Sequence, residues 1–167
     1  MITYEELHTQ NHEITELSNI LLYLFTDRSM CDTETCCELF HRYMAKVKAH
    51  IDLVDRSIIS KLLTHDDHDI QKLVKNFMGG SQEIKRIMSE YTRQWCPMKK
   101  RPTLVISEHD DFMGDTEMMF HLILERILDE TEKLYPLIRE ISDNEQQVPN
   151  LRPGQSTRGD AHRAARP

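Results

Sequence analysis

The sequence predicts an all-helical protein, an antiparallel up-down-up-down bundle of four long helices over residues 1–141 with a disordered tail over 142–167. Three observations carry that expectation. Only 5 glycines and 6 prolines occur in 167 residues, and most prolines lie between Cys96 and Pro102 or after Ser142, so long uninterrupted helices are allowed. Four stretches space their apolar residues three and four apart, the mark of a helix with one buried face. The polar links between them are short enough that successive helices must pack antiparallel.

The first helix is expected from Tyr4 to Phe25, with Leu7, Ile14, Leu17, Leu21, Leu24 and Phe25 on one stripe. TDRSMCDTE breaks the pattern, and Asp32 or Thr33 can cap a second helix carrying Phe40, Tyr43, Met44, Val47, Ile51, Val54, Ile58 and Leu62. THDDHD supplies the next turn and its caps. Ile70, Leu73, Val74, Phe77, Ile84, Ile87, Met88, Tyr91 and Trp95 then keep helical phase straight through Gly79 and Gly80, which allow a bend in one long helix. CPMKKRPTLVIS reads as a looped connector across one end of the molecule. Ser107 and the acids after it open the last helix, whose stripe runs from Phe112 to Ile141 with Pro136 near its final turns. Beyond Ser142 almost no apolar residue remains to bury, which is why a disordered tail is expected there.

Charge and composition narrow the function. A net charge of −7 opposes broad phosphate-backbone binding, so nucleic acid is not an expected partner. No window approaches the ~18 apolar residues of a membrane span. The opening MITYEELH carries acids where a signal peptide has basic and apolar residues, which points to the cytoplasm. In that compartment four cysteines read as reduced thiols or ligands. No Gly-rich phosphate loop, nucleophile elbow or H-E-x-x-H occurs, so no enzyme activity is expected.

Helical phase decides which polar residues turn inward. His12, His68 and His121 lie away from their apolar stripes. His50 borders the stripe of the second helix, and Asp55 borders its other side. Glu130 falls inside the stripe of Ile123, Ile127 and Leu134, with Arg126 one turn away. A buried carboxylate needs a partner, so Glu130 is either ion-paired with Arg126 or a ligand for something else. Cys31, Cys36, Cys37 and Cys96 converge at one end of the expected bundle, near His41 and His109. Thiolates with imidazole suit zinc, and neighbouring thiols suit a redox switch; the alternative is that Cys36 packs as a small hydrophobe and the others are incidental.

NHEITEL in the first helix, KAHIDLVD in the second and ILDETEKLYPLI in the last resemble the hemerythrin-like, HHE cation-binding family, over roughly residues 5–140. That resemblance implies a four-helix bundle that binds a cation, iron in the first instance, through His50, Asp55 and Glu130 with His12 as a further ligand, and a role in sensing or binding a small molecule. Val54 stands where the family places a carboxylate, and Arg126 where it places a histidine; a guanidinium cannot coordinate a metal. The stretch from Phe40 through His50 to the last helix is also loosely similar to the regulator of sigma D family, helical bundles that bind a sigma factor. That similarity implies an alternative, a metal-free regulatory module that binds a protein partner; the clustered cysteines add a redox-responsive variant of it.

Overall fold

The computed structural model describes residues 3–97 and 103–147. Every regular element among them is helical, and none of them forms a strand. α1 spans Tyr4–Phe25 and starts in a capping box, in which Thr3 Oγ1 accepts from the Glu6 N–H and Glu6 accepts from the Thr3 N–H. α2 is a single turn, Arg28–Cys31, capped by Asp27. α3 begins after its cap Thr33, runs Glu34–Val54, continues through a π turn at Asp55–Ile59 and ends with Ser60–Leu62. α4 is His68–Trp95, capped by Asp67. α5 runs His109–Asp129, passes through a second π turn at Glu130–Leu134 and continues as Tyr135–Gln147.

Two expectations about boundaries change. Glu108, rather than Ser107, precedes the first turn of α5. The helix also continues through Ser142 to Gln147, beyond the boundary that composition sets for the tail; residues 148–167 lie outside the described residues. Pro136 lies just after the second π turn. There the Tyr135 N–H reaches back five residues to the Glu130 carbonyl, and the widened turn opens the ladder where proline removes a donor and would crowd the preceding turn.

The four long helices touch in a closed order: α1 with α3, α3 with α4, α4 with α5, and α5 with α1. Their side-chain bonds fix the directions. Ser18 donates to Tyr43 while Gln10 meets His50, Asp55 meets Ser81 while Asp52 pairs with Lys85, and Tyr91 meets Thr116 while Arg126 reaches Phe77. Asn11 bonds Tyr135 at one end of the α1–α5 seam, and His109 bonds the Phe25 carbonyl at the other. Each adjacent pair therefore runs antiparallel. Among the described residues no helix is long and apolar enough to cross a membrane.

The core is divided in two. A larger cluster at the α2 end gathers Phe25, Phe40, Tyr91, Trp95 and Phe112 with the four cysteines. A smaller one at the other end holds Leu7, Val54, Ile58, Val74, Phe77, Leu134 and Tyr135. On every long helix a polar residue interrupts the stripe between them: Asn11 on α1, His50 on α3, Ser81 on α4 and Glu130 on α5, all buried. The tertiary structure stacks these interruptions into one layer across the molecule.

Gly79 and Gly80 do not break α4. A Cβ at Gly79 meets nothing within 4 Å, whereas one at Gly80 lies 3.4 Å from Arg126 Nη1. Gly79→Ala is therefore expected to stabilise the protein by about 1 kcal/mol through helix propensity. Urea denaturation should show a higher midpoint at unchanged slope for this variant.

Candidate functional site

Glu130 is the centre of the polar layer. It is fully buried, and it sits where the π turn of α5 begins. Its Oε1 accepts from Arg126 Nε at 2.7 Å, and its Oε2 faces His50 Nε2 at 2.8 Å and accepts from the Tyr135 hydroxyl at 3.2 Å. Arg126 comes from one turn earlier on the same helix. Its Nη1 donates to the Phe77 carbonyl at 2.8 Å, and its Cζ lies 4.9 Å from the centre of the Phe77 ring. Gly80 leaves room for the guanidinium against α4. The layer thus encloses a carboxylate and a cation that share hydrogen bonds, the arrangement that makes buried charge tolerable.

His50 extends the layer to the α1 side. Its Nδ1 meets Gln10 Oε1 at 2.7 Å, so both ring nitrogens are engaged. Nε2 donates to the Glu130 carboxylate, which accepts only. At Nδ1, a doubly protonated ring donates to the Gln10 oxygen, and a neutral ring is satisfied when the Gln10 amide turns to present its nitrogen. Asn11 Nδ2 donates to the Tyr135 hydroxyl at 3.1 Å. Burial first, and the Glu130 charge next, push the Tyr135 phenol far above its ordinary range, so it remains a donor. On the α4 side Asp55, where the π turn of α3 begins, accepts from Ser81 at 2.8 Å and lies 3.6 Å from Lys85. Arg126 Nη2 stands 3.9 Å from Asp55 Oδ1 and makes no hydrogen bond.

The four residues expected to hold iron do not assemble into a ligand set. His12 lies on the outer face of α1, its side chain 73% exposed, beside Glu16. Asp55 faces Ser81, Lys85 and Arg126 instead of His50. Only His50 and Glu130 meet, and Arg126, His50 and Tyr135 already engage both Glu130 oxygens. The permanent cation within the layer is the protein's own guanidinium, so a metal ion there would face charge repulsion and would have to displace three donors. Among the described residues no group of three or more His, Cys, Asp and Glu is placed to hold a metal ion. These side chains do not fit an iron centre.

The cysteines do share one region, as their positions imply. Cys31, Cys36, Cys37 and Cys96 are all buried and free within the aromatic cluster at the α2 end. Cys31 Sγ donates to the Phe25 carbonyl at 3.2 Å, and Cys37 Sγ lies 4.0 Å from the Cys31 carbonyl. Burial pushes the Cys31 and Cys96 thiols up to about 11, which disfavours the thiolate that zinc binding and oxidation both need. The two histidines expected nearby do not complete a zinc set. His109 Nε2 donates to the Phe25 carbonyl at 2.7 Å, and His41 Nε2 is buried without a partner. At pH 8 the native protein should react with a disulfide reagent such as Ellman's at a small fraction of the rate of a free thiol. All four thiols should react promptly in denaturant; fast native labelling would contradict this burial.

Sequence reasoning placed His50, Glu130 and Arg126 in or beside the core but missed Gln10, Asn11, Ser81 and Tyr135. For Asn11 and Ser81 a signal existed: each falls in phase with its stripe, between Leu7 and Ile14 and between Phe77 and Ile84. No family model, curated protein or solved structure matches the chain.

Proposed function

We propose that this chain is a metal-free, non-catalytic regulatory module of the cytoplasm, built as an up-down-up-down four-helix bundle, that acts by binding another protein. The antiparallel register of the four long helices supports the bundle reading, and the free, buried thiols suit a reducing compartment. One observation carries the metal-free assignment: the buried carboxylate Glu130 is neutralised by Arg126 and hydrogen-bonded to His50 and Tyr135. The layer therefore serves to set the register of the four helices, in the way that buried polar groups fix register in coiled coils. The hemerythrin-like resemblance is then a likeness of scaffold rather than of cofactor.

Ile20 and Tyr23 support a protein partner. They lie one turn apart on α1, 47% and 82% exposed, and give an apolar contact of the kind that anchors interfaces. The looser similarity to the regulator of sigma D makes a sigma factor the first partner to test. Two measurements decide the proposal. Full-length protein from iron-supplemented cells should be colourless and hold no stoichiometric Fe, Mn or Zn by elemental analysis. It should bind the purified principal sigma factor of its host in a titration, and Ile20→Ser with Tyr23→Ser should weaken that binding at least about tenfold, the equivalent of 1.4 kcal/mol. Stoichiometric metal overturns the metal-free reading; no binding, or binding indifferent to the α1 variant, overturns the partner reading.

A further inference from the structure

A cleft of about 440 Å³ lies between α1 and α3, with His50 of the polar layer among its lining residues. Gln10 and Glu13 line it from α1; Lys46, Leu53 and Arg56 line it from α3. Five of its eight lining residues are polar or charged, Ile14, Ala49 and Leu53 supply the apolar part, and its volume falls in the ordinary range for a small-molecule site. Three features give it a sign. His50 is oriented by its Nε2 contact with buried Glu130, so Nδ1 faces the α1 side, where it meets the side chain of Gln10. Lys46 is balanced by Glu13 at 2.7 Å. Arg56 spends only its Nε, on the Asp52 carbonyl at 3.2 Å, and makes no ion pair with any described residue. The cleft therefore carries an excess cation in a chain whose net charge is −7.

We propose that this cleft binds a small aliphatic carboxylate. With the His50 ring doubly protonated, the carboxylate takes the place of Gln10 as acceptor from its Nδ1–H and pairs with Arg56, and the aliphatic body lies along Ile14 and Leu53. No bond is made or broken, and the site stands independently of any protein partner. Gln10, on the half-buried edge of α1, is the group the ligand displaces, so shortening it should help binding rather than harm it.

Hexanoate is the probe, with hexanamide as its neutral counterpart and inorganic phosphate as an anion without an apolar body. In an NMR titration of the full chain, hexanoate should move the His50 ring resonances and saturate, and hexanamide and phosphate should not. Arg56→Ala should weaken hexanoate at least about tenfold, as expected for a lost charge-assisted contact of 1.4 kcal/mol or more. Gln10→Ala should tighten it. Because Arg56 is exposed, its variant is expected to keep the wild-type melting temperature, which separates lost binding from lost folding. Absence of saturable hexanoate binding, equal binding of hexanamide or phosphate, or an Arg56→Ala variant with unchanged affinity would each overturn the proposal.

Discussion

Glu130→Leu is expected to destabilise the protein by about 3–5 kcal/mol, the cost of leaving one half of a buried charge pair without its partner. The substitution conserves approximate volume, so the loss is electrostatic rather than steric. Arg126 retains the Phe77 carbonyl but loses its 2.7 Å partner, and the nearest remaining carboxylate oxygen, on Asp55, is 3.9 Å away. His50 Nε2 and the Tyr135 hydroxyl lose their acceptor in the same step. Since a domain is stable by only about 5–15 kcal/mol, the variant should sit near the edge of folding. The informative companion replaces the whole charged set, Arg126→Met with His50→Leu and Glu130→Leu. It should recover most of the lost stability, because no charge is then buried without a partner. Urea denaturation of both variants measures this. A Glu130→Leu unfolding free energy within about 1 kcal/mol of wild type would mean that the layer does not hold these charges as described.

Phe112→Ala should cost a similar amount, about 3–5 kcal/mol, by a different mechanism: a cavity in a rigid aromatic cluster. Phe112 is fully buried near the start of α5, with ring centres 5.1 Å from Phe25, 5.4 Å from Trp95 and 6.2 Å from Tyr91. Those rings come from α1 and α4, so the truncation removes the contact that joins three helices at the α2 end. Trp95 is held in place by its Nε1 donating to Asp115 at 3.1 Å, which limits collapse into the space. Trp95 fluorescence should report the change alongside thermal unfolding. Phe112→Leu, which fills most of the volume, should recover a large part of the loss. The aromatic cluster and the polar layer lie in different parts of the core, so Phe112→Ala and Glu130→Leu should affect stability additively.

The charges of the polar layer are held beside two π turns. Asp55 and Glu130 each stand at the first residue of a π turn, on α3 and α5, and Arg126 lies between them. A π turn inserts a residue into the helical count and shifts the phase of every later turn, so neither is visible in a 3.6-residue pattern. Pro136 marks the second π turn only indirectly, and no proline accompanies the first.

Local sequence is enough to establish that the chain is helical, where the long helices run and which faces they bury. Apolar spacing, the caps at Thr3, Thr33 and Asp67 and the scarcity of breakers all act over one or two turns. The same phase turns His12, His68 and His121 outward and Glu130 inward, helix by helix. The partner that Glu130 takes is a property of the assembled helices. Arg126 is local, but His50 is 80 residues away on α3 and the Phe77 carbonyl is on α4. For the same reason sequence could not show that the four residues of the iron set implied by resemblance lie apart. Ligand geometry depends on how four helices are rotated against each other, and here that rotation joins His50 to Glu130 while leaving His12 in solvent and Asp55 on Ser81 and Lys85. Local periodicity can state that a buried carboxylate needs a partner; only packing across the four helices supplies one.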